Sequence, residues 1–294
     1  MRTNNYIVAI LVVLCITCSL GAQTPLGWKF KEGDRFFVKS EEITNQTIEY
    51  AQARMGGESK LVLVHAFTVK KVSKDGAVLE QKIESAQVKH SSDSKETDAL
   101  ADALKGAAFT LTLDSTGTIT KYDGYEQLVA KFGKSNEAGA KIFKSAVPEE
   151  SLTEPLTQLF SFGPPKPVKA GESWTRELSL PFAPLGTFRA ENKYTHTGKA
   201  ESSGSAAKVD LATKLTFRPP ASSGDLPFKV LGGDFKESEG KGALVFDAEL
   251  GRTLRLDLAW KIRGELTVES GGQKSKCGVE QEQTLRMQVS DKAP

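Results

Sequence analysis

The sequence predicts a mainly β protein, with one or more curved antiparallel sheets and a helical insert packed on the apolar face. Apolar and charged residues alternate along most of the chain, which is typical of strands with one covered and one solvated face. Between Gly124 and Phe162 the apolar spacing changes to the helical period. Turn signals separate the alternating segments, as expected for hairpins.

A first β module is predicted over residues 23–123. Asp75-Gly76 is its strongest hairpin signal. A short helix is expected over Asp98–Leu104. Two predicted strands place these apolar residues on one face: Leu61, Leu63, Phe67 and Val69 in the first, and Phe109, Leu111 and Leu113 in the second.

A helical insert is predicted over residues 124–167. Pro155 is expected in the first turn of its last helix, where proline is tolerated. The apolar residues form three helical stripes: Tyr125, Leu128, Val129 and Phe132; Ile142, Phe143, Ala146 and Val147; Leu156, Leu159 and Phe160. Stripes this apolar need a partner surface, and the apolar sheet face is the expected one.

A second β module is predicted over residues 168–294. Its turns are expected at Leu250-Gly251 and Gly271-Gly272. Trp260 is expected to be a core residue. Two strands show the alternation: Leu254, Leu256, Leu258, Trp260 and Ile262 in one, and Val279, Leu285, Met287 and Val289 in the last.

The two β modules also resemble each other. The segments Phe30–Phe36 and Val168–Trp174 both read apolar, Lys, any residue, Gly, acid, any residue, aromatic. This pairing aligns Gly33 with Gly171, and a later turn aligns Gly117 with Gly251. We therefore expect an internal duplication, the alternative being two unrelated runs of hairpins.

The N-terminus has the order of a secretory signal peptide, predicted over residues 1–22. Arg2 is followed by the apolar run Tyr6–Leu20 and then by small residues, so cleavage is expected near Ala22. A membrane anchor is the alternative, but fifteen residues fall short of the roughly 20 that span a bilayer. Lipidation at Cys18 also stays open. We expect an exported protein, in the periplasm or outside the cell, with no membrane span after cleavage.

Composition excludes several function classes. The net charge of +2 argues against nucleic acid and against an anionic membrane surface as partners. Cleavage would leave Cys277 as the one cysteine, so no intramolecular disulfide could form. Cys277 is interpreted as an exposed thiol near a hairpin tip, the alternative being a thiol activated by neighbouring lysines.

The search for catalytic motifs gives a negative result. The chain has no Gly-x-Ser-x-Gly elbow and no His-Glu-x-x-His motif, and its three histidines are far apart in sequence. We expect no catalytic residues, no metal and no cofactor. His65 lies on an apolar strand face, where a core or pocket role is the first interpretation and a role as acid, base or ligand the second.

The candidate binding site is the space between the helical stripes and the sheet. Tightly packed stripes would leave few voids, whereas a carrier would leave a pocket of several hundred cubic ångströms. The residues predicted to line it are His65, Phe67, Leu128, Phe132, Phe143 and Phe160.

The two Gly-acid-x-aromatic openings and the hairpin from Phe109 to Tyr122 resemble an uncharacterised family of exported bacterial proteins. That resemblance implies an envelope location and no known activity. At the level of fold alone, the predicted architecture is similar to the lipoprotein-carrier half-barrels. The leading hypothesis is a cell-envelope binding or carrier module for a lipid or other apolar ligand, or for an envelope protein. The alternatives are a structural or interaction protein without a small ligand and a hydrolase with an unrecognised site.

Overall fold

The computed structural model describes residues 23–91, 95–133, 137–200, 206–221, 226 and 228–294. The predicted signal peptide, its cleavage position and Cys18 lie outside them. The strands are β1 (Arg35–Tyr50), β2 (Ala53–Ser73), β3 (Gly76–His90), β4 (Ala108–Asp114), β5 (Ile119–Asp123), β6 (Ser173–Phe182), β7 (Gly186–Lys199), β8 (Ala207–Arg218), β9 (Lys229–Asp247), β10 (Arg252–Ser270) and β11 (Gln273–Ser290). The helices are α1 (Lys95–Leu104), α2 (Tyr125–Phe132), α3 (Glu137–Ala146) and α4 (Glu149–Phe160).

All eleven described strands form one antiparallel sheet in the order β5-β4-β3-β2-β1-β11-β10-β9-β8-β7-β6. Each predicted module is therefore a meander of sequential neighbours. The first and last strands join the two meanders, because β1 pairs with β11 from Phe37↔Ser290 to Glu49↔Gly278. The predicted antiparallel curved-sheet class is confirmed, and the two β modules share a single sheet.

Strand β10 shows how the alternation builds the core. Trp260 is only 6% exposed, so its predicted core position is confirmed. Arg255 and Arg263 of the same strand are exposed on the other face. On the neighbouring strand β9, a Cβ at Gly240 would lie 2.5 Å from the Trp260 ring. Glycine at this position lets the indole lie directly against the backbone of β9.

Helix α4 lies on the concave face of the sheet and contacts β5, β6 and β10. Glu149 and Glu150 occupy its first turn, where acidic side chains complement the helix dipole. The prediction for Pro155 is wrong, since α4 begins at Glu149 and the proline lies inside the helix. Pro155 has no N–H to donate, which leaves the Ser151 carbonyl without its intrahelical hydrogen bond. The first helix was also predicted too short, because α1 begins at Lys95 and not at Asp98.

The chain after α4 fills the gap between the two sheet edges. The Thr118 hydroxyl, beside edge strand β5, lies 3.2 Å from the Ser161 hydroxyl. From edge strand β6, the indole of Trp174 donates to the Phe162 carbonyl at 2.7 Å. These two bonds attach the chain after α4 to both edges of the sheet.

The two halves repeat the same local geometry at their first strands. Gly33 N–H donates to Val69 O, and Val69 N–H donates back to Asp34 O. In the second half, Gly171 N–H donates to His196 O, and His196 N–H donates back to Glu172 O. Gly33 and Gly171 share a positive φ of 86° and 89°. These equivalent bonds support the duplication, whose superposition over several strands stays a prediction.

Candidate functional site

Phe160, at the end of α4, is the centre of the packed core. Its ring lies 4.8 Å from Trp28 and 5.7 Å from Phe67, both in edge-to-face geometry. Phe67 in turn stacks on Phe36 at 5.0 Å. Phe67 and Phe160 are at most 2% exposed. The structure brings these two predicted site residues together, and there they fill space that a ligand would need.

A small cavity remains beneath the N-terminal half of α4. Its volume is about 40 Å³, close to the ~30 Å³ that one water molecule occupies in the liquid. Of the six predicted site residues, His65 lines this cavity. The other lining residues are Ser40, Glu42, Leu61, Leu63, Gln81, Ile83, Tyr122, Ser151, Leu152, Pro155, Leu156 and Leu285. The volume is far below the several hundred cubic ångströms of a lipid pocket.

His65 is held in a buried chain of hydrogen bonds. Tyr122 donates its hydroxyl to Gln81 Oε1 at 3.3 Å, so the Gln81 amide nitrogen faces His65 Nδ1 at 2.7 Å. Nδ1 is therefore the acceptor, and the ring proton lies on Nε2, 3.4 Å from Ser40 Oγ. Burial lowers the pKa of His65 from 6.5 to about 4, which keeps the imidazole neutral at pH 7.

This proton arrangement is the opposite of the one a hydrolase uses. A catalytic histidine accepts the serine proton at one ring nitrogen, and a carboxylate orients the other. Here Nε2 carries the proton toward Ser40, and the amide of Gln81 takes the place of the carboxylate. Ser40 is itself 7% exposed, so no substrate reaches its hydroxyl in this conformation.

The remaining predicted site residues lie on the helices. Phe132 of α2 contacts Phe143 of α3, with ring centroids 4.6 Å apart. Leu128 of α2 is 2% exposed and belongs to the core. The side chain of Ile142 lies outside the described part of the chain. The six predicted residues thus fall into a group around His65, Phe67 and Phe160 and a group on α2 and α3.

Two carboxyl groups on the concave face were not singled out from the sequence. Burial raises the pKa of Glu154, on α4, to about 7, and the nearby Glu42, on β1, raises it further against a lowering contribution from Gln158. Burial also raises the pKa of Glu42. Both residues keep part of their surface exposed, although protein surrounds them on most sides. Raising the pKa of two neighbouring carboxyls is characteristic of functional sites, although structural networks do it too.

An amide side chain donates one hydrogen bond to each carboxyl. Gln158 donates to Glu154 at 3.0 Å, and Gln283 of β11 donates to Glu42 at 2.8 Å. The Gln283 amide oxygen accepts a bond from Gln281 at 3.0 Å. We call Glu42, Glu154, Gln158 and Gln283 the carboxyl–amide site. It combines α4, β1 and β11 on a concave face whose other residues are largely apolar.

The sequence did contain a signal for this site. On β1, Ser40 and Glu42 continue the in-facing phase set by Phe36 and Val38. On β11, Gln281 and Gln283 likewise interrupt the phase of Val279 and Leu285. Polar residues in the apolar phase of a strand mark positions where a fold carries polar groups inward.

The prediction for Cys277 is wrong. Its side chain points to the covered face in phase with Val279 and is 8% exposed. Burial raises the pKa of the thiol, so Cys277 is neither exposed nor activated. Within the described ranges, no group of three or more His, Cys, Asp or Glu side chains is placed to hold a metal ion. No helix in the described part of the chain has the length and hydropathy to cross a bilayer.

Residues 62–222 match the sequence model of DUF6263, a family of unknown function. No curated protein matches the chain. A solved structure described as "Lipid-protein interactions in lipovitellin" has a TM-score of 0.47 at 13% identity, covering 90% of this chain and 26% of that one. The present chain thus spans about a quarter of that protein's length. The outer membrane protein OprG from Pseudomonas aeruginosa has a TM-score of 0.24 at 7% identity, covering 90% and 97%.

Proposed function

The chain belongs to DUF6263, a family of unknown function, and we propose that it is an exported binding module of the cell envelope that catalyses no reaction. The carboxyl–amide site is the observation that carries this proposal. Enclosing Glu42 and Glu154 largely in protein costs stability, because desolvation opposes the charged form of both and the charge of Glu42 also opposes ionisation of Glu154. A sheet face that only had to pack against α4 would carry apolar side chains there.

The chemistry of the site indicates the kind of ligand. Carboxylates and amide oxygens accept hydrogen bonds, and Leu61, Leu63 and Leu152 supply apolar surface beside Glu42. An apolar ligand with an ammonium or another hydrogen-bond-donating head group matches both features. Its bulk has to lie outside the cavity, since a volume of about 40 Å³ admits no alkyl chain.

A matched pair of fluorescent probes tests this proposal. A dansyl-labelled alkylamine and the dansyl-labelled fatty acid of the same chain length differ only in the head group. We expect the amine to bind at least about tenfold more tightly, because a hydrogen bond to a charged group contributes roughly 1.5–3 kcal/mol. Its affinity should rise as the pH increases through about 7, where Glu154 loses its proton.

Two variants of α4 provide the control. Glu154→Gln should remove both the head-group preference and its pH dependence. Glu150→Gln, at an exposed position of the same helix, should leave both unchanged. If neither probe binds, or if both bind equally to the protein and to Glu154→Gln, the concave face is not a binding site of this kind.

An interaction protein without a small ligand is the second candidate, and the small cavity is the observation that favours it. Phe160 and its neighbours close the space that a carrier would keep open. Native mass spectrometry of protein purified from its host envelope separates the two candidates. A bound small molecule supports the binding module, whereas a stoichiometric protein partner alone supports the interaction protein.

A further inference from the structure

A row of buried polar side chains extends from the carboxyl–amide site across the sheet to β8. Asn192 of β7 is 0% exposed and pairs across the strands with Thr213 of β8, which is 5% exposed. Both are connected to Glu154 through Gln158, which is 2% exposed. Because Asn192 and Thr213 are buried, any effect that they have on a ligand has to pass through Gln158.

The distance between Thr213 and Asn192 fixes which way the Asn192 amide points. Thr213 Oγ1 lies 2.6 Å from Asn192 Oδ1. This distance suits an O–H···O bond and is shorter than the range of about 2.7–3.2 Å for N–H···O bonds. The hydroxyl therefore donates to the amide oxygen. The amino group of Asn192 points the other way, toward Gln158 Oε1 and the Tyr194 hydroxyl, both at 3.3 Å.

This orientation is passed on to Glu154. Because Gln158 turns its oxygen to Asn192, its amino group faces Glu154 and donates to Oε1 at 3.0 Å. An N–H donor beside a carboxyl favours the charged form, whereas an amide oxygen in the same place would favour the protonated form. The hydroxyl of Thr213 thus decides, through two amides, that Glu154 faces a donor.

The hydrogen bonds on the other side of the site have the same polarity. Gln46 donates to Gln281 at 2.8 Å, Gln281 donates to Gln283 at 3.0 Å, and Gln283 donates to Glu42 at 2.8 Å. Hydrogen bonds in such a series polarise one another, which strengthens the last of them. Both rows therefore end with an N–H directed at a carboxyl oxygen, an arrangement that favours the charged carboxylate against the effect of burial.

We propose that Thr213 and Asn192 are positioning residues of the carboxyl–amide site, which they make selective for a cationic head group by keeping the Gln158 donor on Glu154. The inference rests on the proposed function. Without the Thr213 hydroxyl, the Asn192 amide is free to reverse, and its oxygen then accepts from Tyr194 and from Gln158. Gln158 in turn presents its own oxygen to Glu154, which favours the uncharged carboxyl and weakens the attraction for an ammonium group.

The titratable neighbours of Glu154 do not account for such a change. Glu42 of β1 raises the pKa of Glu154 whichever way the amides point. Burial raises the pKa of Tyr194, on β7, to about 12, so this phenol stays neutral in the pH range of the assay. Arg176 of β6, which interacts with Tyr194, is charged throughout that range.

Carbon-13 NMR of the glutamate carboxyl groups tests the proposal without any ligand, on the chain from Gln23, which contains every strand and helix described above. The signal that is missing from Glu154→Gln identifies Glu154. Thr213→Val keeps the size of the side chain but lacks the hydroxyl, and we expect it to raise the Glu154 midpoint from about 7 by about one pH unit. Thr213→Ser keeps the hydroxyl and should retain the original midpoint.

Thr253→Val is the matched control. Thr253 is also buried, and its hydroxyl donates to the Leu159 carbonyl of α4 at 3.5 Å, outside the row. Both valine variants lose one buried hydrogen bond, so both should be less stable in urea unfolding. Only Thr213→Val should move the Glu154 midpoint, which a purely structural role of Thr213 would leave unchanged.

The dansyl probes connect the row to ligand selectivity. At pH 7, a midpoint moved from about 7 to about 8 lowers the ionised fraction of Glu154 from roughly one half to roughly one tenth, so the alkylamine should bind Thr213→Val about fivefold more weakly. At about pH 9 most of Glu154 is ionised in both proteins, and the two affinities should converge. The fatty-acid probe should not bind Thr213→Val more weakly at either pH.

An unchanged Glu154 midpoint in Thr213→Val, or an equal shift in Thr253→Val, would overturn the proposal. A shifted midpoint that leaves the alkylamine affinity at pH 7 unchanged would overturn it as well. If the midpoint moves as expected but neither probe binds the original chain, Thr213 and Asn192 do position Glu154, and it is the proposed function that fails.

Discussion

The buried histidine should give the protein a pH dependence that one substitution removes. In the folded chain burial lowers the pKa of His65 from 6.5 to about 4. The unfolded chain therefore takes up a proton at higher pH than the folded one. The contribution of His65 to the stability of the fold is therefore complete above pH 6.5 and is lost as the pH falls toward about 4.

The magnitude follows from the interval between the two pKa values. Lowering the pH from 6.5 to about 5 crosses roughly 1.5 units, and each unit corresponds to about 1.4 kcal/mol, so the expected loss is about 2 kcal/mol. His65→Asn keeps an acceptor for the Gln81 amide but does not titrate. The free energy of unfolding of His65→Asn should therefore not show this decrease, whatever the stability of the variant at neutral pH.

Urea unfolding at about pH 7.5 and about pH 5 measures the effect as a difference between the variant and the original chain, which cancels the other titrating groups. Ser40→Ala is the control, because it removes the hydrogen bond to Nε2 and leaves the imidazole in place. Its cost, about 1 kcal/mol, should be equal at both pH values. A pH dependence in His65→Asn within about 0.5 kcal/mol of the original would refute the assignment of a depressed pKa to this residue.

Three further outcomes are expected. The pH dependence of stability that Glu154 causes has the opposite sign to that of His65. Because its pKa is raised in the folded chain, the contribution of Glu154 to stability is complete below pH 4.5 and is lost as the pH rises through about 7. Urea unfolding should therefore show Glu154→Gln gaining about 1–2 kcal/mol on the original between about pH 5 and pH 8, a figure reduced for its partial exposure. Phe160→Ala should cost about 3–5 kcal/mol by thermal or urea unfolding, and exposed Leu250→Ala less than about 0.5. Intact-mass measurement of protein from its host should show a chain beginning near Gln23, and a full-length cytosolic chain would contradict export.

Part of the candidate site could have been predicted from the sequence. The six residues predicted to line the site were selected because they are large and lie on apolar faces. Those two properties predict that a residue packs in the core. His65, Phe67 and Phe160 accordingly lie in or beside the core, and Phe132 pairs with Phe143. Polar residues that break the apolar phase were the better signal. Searching for them would have found Glu42 and Gln283. A polar residue at an apolar position of an alternating strand can be recognised from the sequence alone.

Glu154 could not have been found in the same way. Its position depends on where α4 lies, and that is decided by contacts with β5, β6 and β10. The in-facing orientation of Cys277 was missed for a related reason. Glycines and lysines near it indicate a turn, whereas the strand β11 begins four residues earlier, at Gln273, and places the thiol in phase with Val279.

The sequence by itself determined the alternation of the strands that it singled out, their apolar faces and the presence of three helices between the two β modules. Alternation and helical spacing are local properties, and burial of one face is enough to fix them. The tertiary structure alone decided that β1 pairs with β11 and so joins both modules into one sheet. It also decided that Pro155 lies inside α4 and that about 40 Å³ remains beneath that helix. These features depend on which distant faces meet and on how their side-chain volumes fit together, and no periodicity along the chain records either.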